Sequence, residues 1–268
     1  MTFNIRYDSL KDRAGDNAWE KRRPLLIDCL GKYQPDILAT QEALESQSNA
    51  IHQAFPQWAF FGLGRYHHVQ VPHRPWESGG GESCRIFYRT SDYILLDQGT
   101  FWHSDHPDSA GSMTWGNDLP RVTTWGKFQV KNSPKKFIVI NSHFHWGEPY
   151  VDSTAALIMR RWREISGGQP TILMGDFNMP PTSAVHELFC GKTGPAELRG
   201  HFIDCWQALG KSEADAGTSH GFSGIPENRI DWILVTPEFQ IRSIEIIHDH
   251  ADHRYPSDHF PVMARLQL

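Results

Sequence analysis

Thr171-Ile172-Leu173-Met174-Gly175-Asp176-Phe177-Asn178 is the stretch whose reading decides the fold. Its first half is a short apolar run rich in β-branched character, the pattern of a strand covered on both faces. It then stops at Gly175 and delivers two polar side chains. In an extended chain residues two apart face the same way, so Asp176 and Asn178 point together. A carboxylate beside an amide can orient a water and accept its proton. Asp and Asn also favour turns, and the tetrapeptide taken alone does not separate the two readings.

The same grammar recurs outward from this stretch. Ile37-Leu38-Ala39-Thr40 runs into Gln41-Glu42, and Phe137-Ile138-Val139-Ile140 runs into Asn141-Ser142-His143. Ile230 to Val235 is another such run with Asp231 near its start, and Thr2 to Arg6 reads as a strand at the beginning of the chain. Polar groups at strand ends are where layered folds place their sites. Between these runs lie candidate helices at Pro24 to Leu30, with proline in the first turn, at Ser46 to Phe55, and at Thr154 to Ile165. In the last, Ala155, Ile158, Trp162 and Ile165 share a face and Arg160, Arg161 and Arg163 fall mainly on the others. Strands and helices alternate without a break in composition, so residues 1–268 read as one domain with strands inside and helices outside. Tyr66 to Ser83, rich in His, Pro and Gly, reads as a long loop.

The formal net charge is −5, which leaves no basic stripe to grip a long nucleic-acid backbone. A bound dication can still dominate the local field, so an anionic substrate remains compatible. Cys29, Cys84, Cys190 and Cys205 form no C-x-x-C pair and read as ordinary thiols. No apolar stretch reaches membrane-spanning length, and no amphipathic membrane-binding helix is visible. The opening residues read as a strand rather than a signal peptide, which favours the cytoplasm unless a leader has been removed. The chain is expected to act as a monomer.

Each remaining signal is weak alone. Glu42 is a hard oxygen ligand of the kind that suits Mg²⁺ or Mn²⁺. Ser257-Asp258-His259 sets a possible metal ligand beside a possible phosphate contact. Asn4 lies within Phe3-Asn4-Ile5-Arg6, and Asp231 within Arg229-Ile230-Asp231-Trp232. Their order carries the weight. N-I-R-Y, Q-E, N-S-H-F, G-D-F-N, R-I-D-W and S-D-H-F-P-V in succession closely resemble the endonuclease/exonuclease/phosphatase superfamily, across Asn4 to His259. The similarity is greatest to a bacterial subgroup of unassigned substrate. That subgroup opens with Asn4-Ile5-Arg6-Tyr7-Asp8, continues with Asn17, Trp19 and Arg22, and places Gly81-Glu82 before Ile86-Phe87-Tyr88-Arg89.

The resemblance implies an α/β (α+β) four-layer sandwich of the deoxyribonuclease-I-like kind. Two packed mixed β-sheets would be flanked by helices, with the site at one end of the sheets. It implies a divalent-metal-dependent phosphoesterase, most readily a phosphodiesterase, using Mg²⁺ or Mn²⁺. Glu42 would be the main metal ligand with Asn4 and Asp258 nearby. Asp176 and Asn178 would orient or deprotonate the attacking water. His259 would contact the scissile phosphate, held by Asp231, and His143 would lie across the phosphate, paired with Glu82. A carboxylate behind each histidine would keep it oriented and charged. Arg121 could clamp a phosphate. A small molecule, a nucleic acid and a lipid head group all remain open as substrate.

One departure stands out: His145 follows Phe144 where related chains carry an acid. Two rival readings also stand. His248-Asp249-His250-Ala251-Asp252-His253 matches the H-x-H-x-D-H run of dinuclear zinc hydrolases, although only a short stretch of chain follows for further ligands. A catalytically inactive relative acting as a binding module is the other. His67, His68 and His73 could touch substrate, and Trp76, Trp102, Trp115 or Trp146 could stack on a base or sugar.

Overall fold

A computed structural model describes residues 1–71, 79–147 and 150–268. Sheet one has six strands: β1 (Thr2–Asn4), β2 (Ile37–Ala43), β3 (Trp58–Phe61), β4 (Ser83–Arg89), β11 (Gln240–Ile246) and β12 (Val262–Gln267), in the order β11-β12-β1-β2-β4-β3. Sheet two has β5 (Tyr93–Trp102), β6 (Val122–Val130), β7 (Lys136–His143), β8 (Thr171–Asp176), β9 (Ile203–Asp204) and β10 (Asp231–Val235), in the order β5-β6-β7-β8-β10-β9. Helices α1 (Trp19–Tyr33), α2 (Glu45–Ala54), α3 (Tyr150–Ser166), α4 (Ala184–Phe189) and α5 (Cys205–Ala208) complete the chain.

The central strands are apolar on both faces because each face meets a different layer. Ala39, Ile86, Met174 and Ile233 point into the core between the sheets. Their neighbours Leu38 and Phe87 pack with Leu26, Leu30 and Ile51 under α1 and α2. Leu173 and Leu234 pack with Ile158, Trp162 and Phe189 under α3 and α4. Burying each such side chain contributes about 1.5–3 kcal/mol relative to exposure. The expected two-sheet sandwich flanked by helices is therefore observed. The β5–β6 ribbon announced itself less in the sequence because most of β5 is exposed or half-buried, which breaks the continuous apolar run.

Each sheet is antiparallel except for one parallel pair, β1 with β2 and β7 with β8. A parallel pair needs a crossover, and α1 and α3 supply them. Parallel strands end on the same side. Asn4 and Glu42 thus close sheet one at the edge where His143 and Asp176 close sheet two. Helices α1 and α3 extend beyond the expected limits at both ends, and α2 lies one residue earlier than expected. In particular α1 begins five residues before Pro24, which sits inside it. The proline gives up one backbone bond near the start of the helix, a cost that the buried face of Trp19, Leu26 and Leu30 outweighs.

Candidate active site

The sheet register brings the acids together. His143 and Asp231 are the ladder partners of Asp176 on either side, on β7 and β10. Asp176 is 1% exposed, and Asn178 Nδ2 bonds the Phe144 carbonyl while its N–H donates to Asp176 Oδ1 at 2.9 Å. Asn178 is bent back to do this, at φ 53°. It therefore lies on the turn that follows the strand as well as on the site. Phe177 and Trp232, the next residues after the two acids, stack with ring centroids 4.4 Å apart, which fixes both strand ends from behind.

Across the gap, Asn4 Nδ2 donates both to Asp176 Oδ2 at 2.9 Å and to Glu42 Oε1 at 3.1 Å. Asn4 thus links the two sheets at this edge, as Gln41 does beside it by donating to Asn141 at 2.6 Å. Glu42 Oε2 accepts from the Tyr7 N–H at 3.2 Å, and the Arg6 guanidinium lies 4.0 Å from Glu42 and 3.8 Å from Asp258. Arg6 and Glu42 both take left-handed backbone angles, φ 53° and 60°, conformations that cost energy and gather at functional sites. Arg22 explains how the first loop is held. Its buried guanidinium donates to the carbonyls of Ile5, Arg6, Tyr7, Asn17 and Pro256, so the Asn17-to-Arg22 motif clamps the loop that carries Arg6.

His259 Nδ1 lies 2.8 Å from Asp231 Oδ2, and its Nε2 is 3.9 Å from Asp176. Burial opposes charge on this ring, but Asp231 and Asp176 outweigh burial and hold its pKa well above the ordinary histidine value. His143, 3.5 Å from Asp176, is the opposite case. Burial, and then the charge of Arg121, holds it well below the ordinary value. The site thus sets one imidazolium and one neutral imidazole on either side of Asp176. Burial, followed by the charge of Asp231, pushes Asp176 up to about 7 against the pull of His259. For Glu42, burial is outweighed by Arg6, Asn4 and His259, and its carboxyl stays below its ordinary range. Asp258 is raised by burial and then by Glu42.

One expected pairing is corrected. Glu82 does not stand behind His143: it binds Arg65 at 2.8 Å and faces Arg121 at 3.9 Å. The Arg121 guanidinium, not the carboxylate, contacts the His143 ring, at 2.9 Å. Two guanidinium groups compete for Glu82 and win, so His143 is not charged in the way the sequence suggested. Glu82, Arg65, Arg121, His143 and Glu42 line one small cleft.

Oxygen donors that suit a hard dication are present. Asp231 Oδ1 is buried without a hydrogen-bond partner among the described residues, and the carboxylates of Glu42 and Asp258 already share one cation, Arg6. Asp176, Asp231 and His259 also bring ligand atoms within 4.8 Å of one another. Glu42, Asn4 and Asp258 form a second set of oxygen donors beside this group.

Several contributors were not singled out from the sequence. Arg6 sat unremarked inside a motif already quoted. Thr218 Oγ1 accepts from the Asp231 N–H, and the N–H groups of His220 and Gly221 donate to the Asp258 carbonyl. His145 bonds Asp118 at 2.9 Å and packs edge-on against Tyr150, on the rim. Trp102 is buried and donates to the Arg65 carbonyl, Trp115 bonds Asp105, and Trp146 is 69% exposed. The His67 and His68 rings touch at a tilt of 46°, whereas His73 and Trp76 lie outside the described residues. The H-x-H-x-D-H run does not gather into a metal-holding group among the described residues. His248 packs on Phe260, and Asp249 is taken by Lys32 and Tyr33. All four cysteines are free.

The sequence profile of the Endonuclease/Exonuclease/phosphatase family matches residues 1–259. The chain belongs to the endonuclease/exonuclease/phosphatase family. Its fold matches that of solved members of this family, two mixed sheets with flanking helices. An endonuclease/exonuclease/phosphatase from Bacteroides vulgatus is 31% identical, covers 100% of this chain and 97% of its own, and superposes with a TM-score of 0.83. A mannosyl-6-phosphatase from Bacteroides thetaiotaomicron is 29% identical, covers 100% and 98%, and has a TM-score of 0.85. The CCR4-Not complex 3'-5'-exoribonuclease subunit of Candida albicans is 23% identical over 93% of this chain and 38% of its own length. The chain spans less than two thirds of the length of the curated relatives it matches first. Family members of this kind are phosphoester hydrolases. Among the described residues no helix is long and apolar enough to cross a membrane.

Proposed function

We propose that this protein hydrolyses a phosphate ester with the help of a divalent cation, Mg²⁺ or Mn²⁺, using a water activated at Asp176. The observation that carries the reading is the placement of one buried carboxylate, Asp176, between a charged His259 and a neutral His143. A phosphate ester repels a nucleophile, and fixed positive groups offset the charge that builds in the transition state. His259 supplies a permanent donor to a phosphate oxygen. Asp231 holds its ring and keeps it protonated. Asp176, raised toward neutrality, accepts the proton of the water that Asn178 helps to orient. Arg121 and His143 bind the phosphate from the other side, and Glu82 holds Arg121. Glu42, with Asn4 and Asp258, would hold the cation, which supplies Lewis-acid stabilisation of phosphate charge when bound.

A phosphodiester fits this machinery. The alternative of a small sugar phosphate is favoured by the similarity to a mannosyl-6-phosphatase over the whole chain and by the net charge of −5. The binding-module reading loses support because every chemically competent residue is present and convergent.

The deciding experiment is hydrolysis of bis-p-nitrophenyl phosphate, p-nitrophenyl phosphate and mannose 6-phosphate with EDTA, Mg²⁺ or Mn²⁺. Metal-dependent turnover abolished by Asp176→Ala and by His259→Ala is expected. The substrate preference separates diesterase from monoesterase. No turnover of these or of nucleic-acid and lipid phosphates, with no Mg²⁺ or Mn²⁺ binding sensitive to Glu42→Ala, would return the binding-module reading.

A further inference from the structure

Arg6 faces two acids of the site without bonding to either. Its terminal nitrogen lies 4.0 Å from Glu42 Oε2 and 3.8 Å from Asp258 Oδ2, outside hydrogen-bond reach. The direct bond of its guanidinium goes to Asp12, from Nε to Oδ2 at 3.0 Å. Two further acids of this loop have cations of their own. Asp8 binds Arg13 at 2.8 Å, and Asp16 binds Lys21 at 2.9 Å. Arg6 is instead shared by three carboxylates, those of Asp12, Glu42 and Asp258. One guanidinium among three carboxylates leaves an excess of negative charge that a dication would offset.

The backbone fixes where this side chain begins. The Arg6 N–H donates to Asn4 Oδ1 at 3.0 Å, and the Arg6 carbonyl accepts from Gln47 Nε2 at 2.9 Å and from Arg22 at 3.0 Å. The main chain, at φ 53°, is thus held from three sides, and any response to charge falls to the side chain. That side chain is 24% exposed and lies over the Tyr7 ring at 5.0 Å, so it has room to turn. A dication held by Glu42 and Asp258 would meet this guanidinium as a like charge at close range. Asp12 offers the way out. A turn that keeps the Nε bond withdraws the terminal nitrogen from both acids.

We propose, on the reading that Glu42, Asn4 and Asp258 hold the divalent cation, that Arg6 is a built-in competitor for it. Arg6 offsets the charge of Glu42 and Asp258 in the metal-free protein and is turned onto Asp12 when the cation binds. The acids can then stay gathered without metal, at the cost of a weaker grip on it.

The test is Mn²⁺ binding to the full-length protein, stripped of metal with EDTA, followed by calorimetry. Wild type is compared with Arg6→Gln and with Arg13→Gln, which removes a charge from the same loop but from a different pair. Arg6→Gln is expected to bind Mn²⁺ roughly tenfold more tightly, the scale of one charge a few ångströms from a dication in a partly exposed site. Arg13→Gln should stay within about twofold of wild type, as for an exposed pair. Without metal, Arg6→Gln should melt several degrees below wild type, and saturating Mn²⁺ should close that gap. A merely structural Arg6 would leave the gap open at any metal concentration, and that result would overturn the proposal. Asp12→Asn supplies the second arm. It should weaken Mn²⁺ binding in wild type and leave it unchanged in the Arg6→Gln background, since Asp12 acts through Arg6. Additive effects would count against the proposal. Equal Mn²⁺ affinity in wild type and Arg6→Gln, both sensitive to Glu42→Ala, would overturn it alone. No Glu42-sensitive binding by either chain would overturn the metal reading and the proposal with it.

Discussion

Asp231 and Asp176 stand directly opposite each other on neighbouring strands, and each binds a different part of the site: Asp231 holds His259 at 2.8 Å, Asp176 holds Asn4 at 2.9 Å. Burial, and then the charge of Asp231 beside it, lifts Asp176 to about 7. Asp176→Asn removes the repulsion and keeps the shape. Activity should fall by at least about 100-fold, the scale expected for loss of a general base. The melting temperature should stay within a few degrees of wild type, because the relief of repulsion offsets one lost acceptor. Parallel kinetics and thermal unfolding check this, and a large loss of stability would show that Asp176 is structural first.

Gly175 has φ 152°, and a Cβ there would lie 2.0 Å from the Ser142 carbonyl oxygen. That oxygen is part of β7, the strand that carries His143. Gly175→Ala must push β8 away from β7, so both stability and the spacing of His143 from Asp176 should suffer. A loss of about 3 kcal/mol or more in urea unfolding is expected, with activity reduced in the fraction that folds.

Arg22 offers a separate route to the same site. Arg22→Met keeps much of the volume but leaves the carbonyls of Ile5, Arg6, Tyr7 and Pro256 without this donor. Destabilisation of about 3–5 kcal/mol is expected, the usual scale for breaking a buried charged network. Metal affinity, read by calorimetry, should weaken as well, since Arg6 and Asp258 sit on the two segments that Arg22 ties together.

His103 supplies a pH test away from the acids. It is buried beneath the site, bonded to Thr123 at 2.8 Å, and burial followed by the charge of Arg121 pushes its pKa down to about 3. In the unfolded chain a histidine titrates near 6.5, so as pH falls below that value the unfolded state takes up a proton first. Stability is therefore intact above about pH 6.5 and is lost progressively toward pH 3. His103→Gln removes this one proton from the balance. Between pH 7 and 4.5 wild type should lose on the order of 2 kcal/mol more than the variant in urea unfolding. Equal losses would count against a neutral buried His103.

The site was partly legible because its side chains follow strands whose two buried faces make continuous apolar runs. Asp176, Glu42 and His143 each sit where such a run ends and Asp231 where one begins, and strand ends can be located from pattern alone. Asn4, Asp258 and His259 were found through the order of motifs. Arg6 was overlooked because an arginine beside a strand is usually a surface residue. The pairing of Glu82 was misjudged for a different reason: Arg65, Glu82 and Arg121 are distant in sequence, and which cation reaches the carboxylate is settled by geometry.

What the sequence by itself determined was a set of central strands, at 2–6, 37–42, 137–143, 171–176 and 230–235, and the chemical kinds of residue at their ends. Apolar periodicity is local, and a strand buried on both faces cannot hide it. What only the tertiary structure decided was charge state and company: that His259 is held protonated while His143 is held neutral, that Arg65 takes Glu82, and that burial with Asp231 raises Asp176. These depend on distances of a few ångströms between segments far apart in the chain, in surroundings where burial magnifies each charge.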